Sequence, residues 1–270
     1  MGEEETALKA IVRPPCTPTA FLQHVLKHYT YPTTVLICAA KQDFLNATAS
    51  ELRDATPATA AASTATPASR LEQDHEPLPD TEATSDAVPE ETLADASDKR
   101  SLLKATLAQI STARHIHTVF IPSVAHLRAY LSVFPHAAQT TAPPPPPPAA
   151  QIPIPGRSLI VYGFLDVHRD GSEWSAQGIG CSAACIVEAA VRSGCLETIL
   201  MEPTGWDNAN GSGDGGGTDG DAETLTTWGV YQEQIPLLST TASVRDDGTW
   251  GLPCTSAKVI LRRWFTFHDS

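Results

Sequence analysis

Glycine is missing from more than half of the chain: none occurs between Gly2 and Gly156 in this 270-residue sequence. The only lysine beyond Gly156 is Lys258, and no Gly-Lys pair exists anywhere. A phosphate-binding P-loop needs both features, because its glycine-rich backbone surrounds the phosphates and its lysine reaches them. The sequence therefore excludes a P-loop.

Long apolar runs are missing as well. No stretch reaches the roughly 18 apolar residues that a membrane-spanning helix needs. The first thirty residues begin acidic and contain no apolar run of signal-peptide length. We therefore expect a protein that neither spans a membrane nor is secreted.

The six cysteines include no CxxC pair. Cys181 and Cys185 lie four residues apart on a predicted helix, as do His24 and His28. A metal site needs further ligands that converge on the same point, and no such partners are evident in either case. The cysteines are therefore expected to be reduced thiols of an intracellular protein, and no metal is expected.

The net charge of −13 is concentrated in two segments of low complexity. Residues 55–100 carry ten acids against three bases, and the Gly/Asp-rich stretch 205–223 carries five acids and no base. Subtracting −7 and −5 from −13 leaves −1 for the rest of the chain. Both segments are predicted to be disordered, since they have few large apolar side chains. The remainder lacks the strong basic character of an autonomous nucleic-acid-binding protein.

The remaining sequence predicts one α/β domain interrupted by inserts. Residues 1–54 form its first part, 101–140 continue it, and 158–270 form its second half. The acidic insert 55–100 and a polyproline linker, 141–157, separate these pieces. Insertions between elements are tolerated because loop-closure entropy grows slowly with length.

Apolar runs alternate with segments of helical periodicity. This order predicts a mainly parallel sheet flanked by helices. The two last segments show period-two patterns and are interpreted as strands of an antiparallel C-terminal extension. The predicted parallel strands are TTVLICA (33–39), HTVFIPS (117–123), SLIVYGFL (158–165) and CLETILMEP (195–203), and the last segments are WGVYQEQIPLL (228–238) and SAKVILRRWFTFH (256–268).

Gly178, Gly180 and Ala183 spell the letters of a dinucleotide-binding fingerprint, G-x-G-x-x-A. That fingerprint works only where the glycines directly follow a strand, so that the pyrophosphate meets the helix N-terminus. Here thirteen residues, 165–177, separate the strand from Gly178. We expect the glycines to lie inside a helix, and a Rossmann-type oxidoreductase remains only a weak alternative.

The segment 158–201 resembles the second half of the RecA-like recombinase core. The matching features are the apolar strand 159–161, Arg169-Asp170, the short loop through Trp174, the EWSA motif at 173–176 and the apolar strand 198–201. Where the family has the aspartate that binds magnesium, this sequence has Tyr162. The resemblance therefore implies a RecA-like fold without ATPase chemistry and without a cofactor.

By this resemblance the chain is similar to recombinase paralogues and to fungal Shu-type complexes. It implies a nuclear, non-catalytic accessory subunit for homologous-recombination DNA repair. Its partners would be other RecA-like subunits or a recombinase, in a hetero-oligomer. The alternative from a different class is a scaffold subunit of a tRNA-modification complex similar to the Elongator ring.

Four residues are candidates for contact with DNA or a protein partner. Arg169 and Trp174 lie in the segment that matches a DNA-facing loop of the family. Arg262 and Arg263 stand beside aromatic residues, a combination that suits single-stranded nucleic acid or a protein hot spot. The acidic stretch 205–223 matches the second DNA-facing loop and would repel phosphate, so DNA contact is expected to be weak and salt-sensitive.

Overall fold

The computed structural model describes residues 7–29, 32–54, 102–134, 157–169, 171–204, 228–238, 243–244, 250–251 and 253–268. The predicted acidic insert 55–100 and the acidic stretch 205–223 lie outside the described residues. The polyproline linker does too, except for Arg157.

The described residues form short strands and helices in alternation. No helix among them is long and apolar enough to cross a bilayer. The strands are β1 (Lys9–Val12), β2 (Thr33–Ile37), β3 (Ile116–Phe120), β4 (Ser158–Tyr162), β5 (Glu197–Met201), β6 (Gln234–Pro236), β7 (Ser243–Val244), β8 (Trp250–Gly251), β9 (Cys254–Ser256) and β10 (Thr266–Phe267). The helices are α1 (Pro18–His28), α2 (Lys41–Asp54), α3 (Leu107–Ala113), α4 (Val124–Val133), α5 (Asp166–Arg169), α6 (Ala176–Arg192), α7 (Gly229–Gln232) and α8 (Ala257–Leu261).

Six strands form the main sheet in the order β10-β1-β5-β4-β2-β3. All five pairings within this sheet are parallel. Parallel neighbours need a crossover connection, which the helices between successive strands supply. The predicted mainly parallel α/β sheet with flanking helices is confirmed.

The sheet is buried on both faces. Alternate side chains of β4 point to opposite sides: Leu159 and Val161 pack beneath α4 and α6, whereas Ile160 and Tyr162 pack beneath α1 and α2. All five residues of β4 are buried. This explains why the strand reads as an uninterrupted apolar run, since neither face meets water.

The C-terminal segment differs from its prediction. Ala257–Leu261 is the helix α8, not a strand, because the Ser256 hydroxyl caps it by accepting from the Val259 amide at 3.4 Å. Ala257 and Leu261, four residues apart, are fully buried on its inner face. The chain then enters β10, which pairs parallel with β1, while β6 and β9 form a separate antiparallel pair.

Gly178 and Gly180 lie inside α6, as predicted. The helix begins at the Ser175 hydroxyl, which accepts from the Gly178 amide at 3.0 Å. A Cβ on Gly178 would lie 2.4 Å from the Glu173 carbonyl oxygen, whereas one on Gly180 would meet only the Ile260 side chain at 3.8 Å. Gly178 is therefore required by a close backbone approach, and Gly180 is not.

We expect Gly178→Ala to lower the free energy of unfolding by more than about 1 kcal/mol, because the backbone around Glu173 must move. Gly180→Ala is the matched control and should raise that free energy by roughly 0.5–1 kcal/mol through helix propensity. Urea unfolding followed by circular dichroism measures both. Equal effects of the two substitutions would contradict the assignment of the close approach to Gly178.

Candidate functional site

The carboxyl ends of β1, β2, β4 and β5 meet at one edge of the sheet, which is where open parallel α/β sheets bind their ligands. We call this region the carboxyl edge. The side chains that reach it are Tyr162 at the end of β4, Cys38 after β2, Glu202 after β5, and Cys16 in the loop after β1. The chemistry available there depends on what these groups already contact.

Tyr162 is packed into the core. Its ring stacks on Phe21 with centroids 4.3 Å apart and meets Phe44 edge-on at 5.9 Å. Its hydroxyl donates to the Cys16 carbonyl oxygen at 3.0 Å. Burial raises the pKa of the Tyr162 phenol, so it remains an uncharged donor. A neutral, buried phenol does not supply the carboxylate oxygens that magnesium prefers.

The N-terminus of α1 carries an internal carboxylate. Thr17 caps the helix, accepting from the Ala20 amide at 3.3 Å. The Thr19 amide donates to Glu51 Oε2 at 3.0 Å, and the Thr19 hydroxyl donates to Glu51 Oε1. The amides and the dipole of a helix N-terminus attract anions. Here Glu51, from the last turn of α2, fills that position.

Glu202 is fully buried at the end of β5. Its Oε1 accepts from the Leu165 amide at 3.0 Å, and its Oε2 has no hydrogen-bond partner among the described residues. Burial, with a further contribution from Asp166, raises the pKa of the Glu202 carboxyl well above its ordinary value. Burial likewise raises the pKa of the Cys38 thiol. Both groups are thus held in their uncharged forms.

The structure brings Arg169 and Trp174 together. The guanidinium lies 5.2 Å from the centroid of the Trp174 ring. It forms a fork with Glu233, at 2.8 Å and 2.6 Å, and donates to Asp166 at 3.2 Å. The side chain of Arg169 is only 16% exposed. The Glu233 carbonyl accepts from the Ala257 amide at 3.1 Å, at the start of α8. Arg169 therefore links α5 to α8 through Glu233.

Arg262 and Arg263 are placed differently. Both are exposed at the end of α8. Arg262 lies 6.0 Å above the Phe267 ring, and Arg263 lies 5.5 Å above the Trp264 ring. Within the described part of the chain, neither forms an ion pair with a carboxylate. Their charges therefore face solvent, unlike that of Arg169.

A buried network that sequence reasoning missed joins α4, α5 and α6. His168 Nδ1 donates to the Phe164 carbonyl at 2.7 Å, which leaves Nε2 to accept from the Ser182 hydroxyl at 3.0 Å. The Ser182 oxygen accepts from Arg128 Nε at 3.1 Å, and Arg128 pairs with Glu173 at 2.8 Å. His168 and Ser182 are fully buried, so this serine-histidine pair has no access to a substrate. Its role is structural.

His24 and His28 stack with ring centroids 4.6 Å apart. Burial, with a smaller contribution from Arg13, lowers the pKa of His24 to about 4. Among the described residues, no group of three or more His, Cys, Asp and Glu side chains converges as a metal site would require. None of the six cysteines forms a disulfide.

Comparison of the chain with protein-family models, curated proteins and solved structures returns no match. The functional proposal for this chain therefore depends on its own sequence and geometry.

We expect stability to fall with acidification because of His168. Burial lowers the pKa of folded His168 from 6.5 to about 4. As the pH falls from 6.5 to about 4, His168 takes up a proton in the unfolded chain but not in the folded chain. The free energy of unfolding then decreases by at most about 1.4 kcal/mol per pH unit.

His168→Gln removes this contribution, so the stability difference between wild type and variant should narrow as the pH falls from about 7 to about 4.5. Urea unfolding at a series of pH values measures this difference, and the contribution of His24 cancels because both proteins retain it. A difference that stays constant with pH would contradict the assignment.

Proposed function

We propose that this chain is a non-catalytic RecA-like subunit that acts through protein–protein assembly in homologous-recombination DNA repair in the nucleus. The observation that carries the proposal is the closure of the carboxyl edge by the chain's own side chains. We base the proposed family on the resemblance of residues 158–201 to the recombinase core. We base the proposed lack of ATPase chemistry on the closed carboxyl edge.

The first step concerns the metal. In the family that this chain resembles, the residue at the end of this strand is an aspartate that binds magnesium. Tyr162 replaces it with an uncharged phenol held between Phe21, Phe44 and the Cys16 carbonyl. Phosphoryl transfer depends on a metal ion and cationic groups that neutralise the developing charge.

The second step concerns the phosphates. Glu51 occupies the N-terminus of α1. Asp166 lies beside the uncharged Glu202 at the same edge, and the guanidinium of Arg169 is already held by Glu233 and Asp166. An edge with these acids and no P-loop lysine disfavours a triphosphate.

In this proposal the protein acts through its folded sheet and its exposed surface. The parallel sheet keeps its two covered faces, and Arg262 and Arg263 present exposed charge. The partners are other RecA-like subunits or a recombinase, in a hetero-oligomer. Any direct DNA contact is weak and involves Arg262 and Arg263 rather than Arg169, whose guanidinium is held by two carboxylates.

We expect the full-length protein to show no saturable binding of Mg-ATP with a Kd tighter than about 1 mM, and no hydrolysis. Isothermal titration and a phosphate-release assay measure the two quantities. Tyr162→Phe keeps the stacked ring and loses the hydrogen bond to Cys16. It should lower the free energy of unfolding by about 1 kcal/mol without creating ATP binding. Saturable ATP binding by the wild type would refute the proposal.

We expect tagged full-length protein, purified from the cells that make it, to retain a recombinase or recombinase paralogues. Mass spectrometry of the eluate identifies the retained proteins. Recovery of Elongator-type subunits would favour the tRNA-modification alternative. Recovery of no stable partner would contradict both assembly functions.

A further inference from the structure

An open groove with a volume of about 620 Å³ lies between the first half of α6 and α8. One wall is formed by Ala176, Gly180 and Ala184 of α6. The other is formed by Val259 and Ile260 of α8 together with Trp264. Leu237, Thr255 and Arg263 also line the groove. The groove is separate from the carboxyl edge described above.

The lining is apolar and open to solvent. Val259 is 60% exposed. The three small residues of α6 are spaced four apart, so they share one helix face and leave room for another backbone to approach. An apolar groove between two helices is a shape that accepts the apolar face of an amphipathic helix.

The charge around the groove is positive. Arg263 borders it and Arg262 is adjacent, and neither pairs with a carboxylate in the described ranges. Glu173, which precedes α6, pairs with Arg128 at 2.8 Å, and Glu188 of α6 pairs with Arg192 at 3.0 Å. Charge complementarity therefore calls for an acidic partner.

A protein segment fits this surface better than single-stranded nucleic acid does. Base stacking needs an open aromatic face, but the guanidinium of Arg263 lies over Trp264. Lys258 and Arg262 lie over Phe267, at 5.4 Å and 6.0 Å. The small and aliphatic residues of the lining offer apolar contact rather than partners for phosphate.

We propose that the α6–α8 groove binds an acidic amphipathic helix of a partner protein. Its apolar face packs against Val259, Ile260 and the small residues of α6, and its carboxylates pair with Arg263. This inference rests on the proposed assembly function and names the surface through which a partner is held.

The test is selection of a displayed library of helical peptides against the full-length protein, followed by fluorescence anisotropy with the recovered peptides. The recovered sequences should carry net negative charge and apolar residues at i, i+4 spacing. Val259→Glu and Arg263→Glu should each weaken binding by about tenfold or more. Val191→Glu is the matched control and should leave affinity unchanged, because Val191 is also 60% exposed on α6 but lies outside the groove.

Cys181 gives an independent readout, since its exposed thiol lines the groove. Bound peptide should slow alkylation of Cys181 more than that of Cys254, which is exposed and is not part of the lining although the next residue, Thr255, is. Mass spectrometry of the alkylated peptides measures both rates.

The groove proposal would be overturned if the library gave no acidic amphipathic peptides, or if Val191→Glu weakened binding as much as Val259→Glu. It would also be overturned if a single-stranded oligonucleotide displaced the peptides and slowed alkylation of Cys181 more than they do. Purification of the tagged Val259→Glu protein separates the two proposals. If the same subunits are retained as with wild type, assembly stands and the groove is not its surface. If wild type itself retains none, the assembly proposal fails.

Discussion

Burial of the main sheet on both faces is the constraint on which the rest of this structure depends. Every residue of β4 is buried, and its alternate side chains enter two different cores. A parallel sheet is stable only when helices cover both faces, because its strands carry apolar side chains on each side. That requirement places α1 and α2 below the sheet and α4 and α6 above it, and it fixes what can reach the carboxyl edge.

The same burial determines the chemistry of that edge. Tyr162, Cys38 and Glu202 are all shifted toward their uncharged forms, with desolvation as the largest cause in each case. Removing a charge from this edge favours packing, since an unpaired ion in a core is costly. In the proposed function, these uncharged groups leave the edge without the ligands that a bound metal or triphosphate needs.

Four of the arginines form two pairs that have different physical roles. Arg128 and Arg169 point inward and join helices through carboxylates, a serine and a backbone carbonyl. Arg262 and Arg263 point outward beside an apolar groove. The assembly function that we propose needs both kinds, because a rigid scaffold must hold the exposed contacts in place.

The sequence by itself determined the local features of this protein. The apolar runs predicted the parallel strands β2, β3, β4 and β5 but missed β1, and the segment that contains β10 was expected to be antiparallel. The missing glycines and lysine excluded a P-loop, and the distance from the strand to Gly178 predicted a glycine inside a helix. Each depends only on neighbouring residues.

Tertiary structure decided the rest: the pairing of Arg169 with Glu233, the link between Arg128, His168 and Ser182, and the position of Glu51 at α1. These contacts join residues far apart in the chain, and no spacing encodes them. For α8 the sequence pattern and the tertiary structure disagree. Its period-two pattern indicated a strand, but the Ser256 cap and the burial of Ala257 and Leu261 favoured a helix.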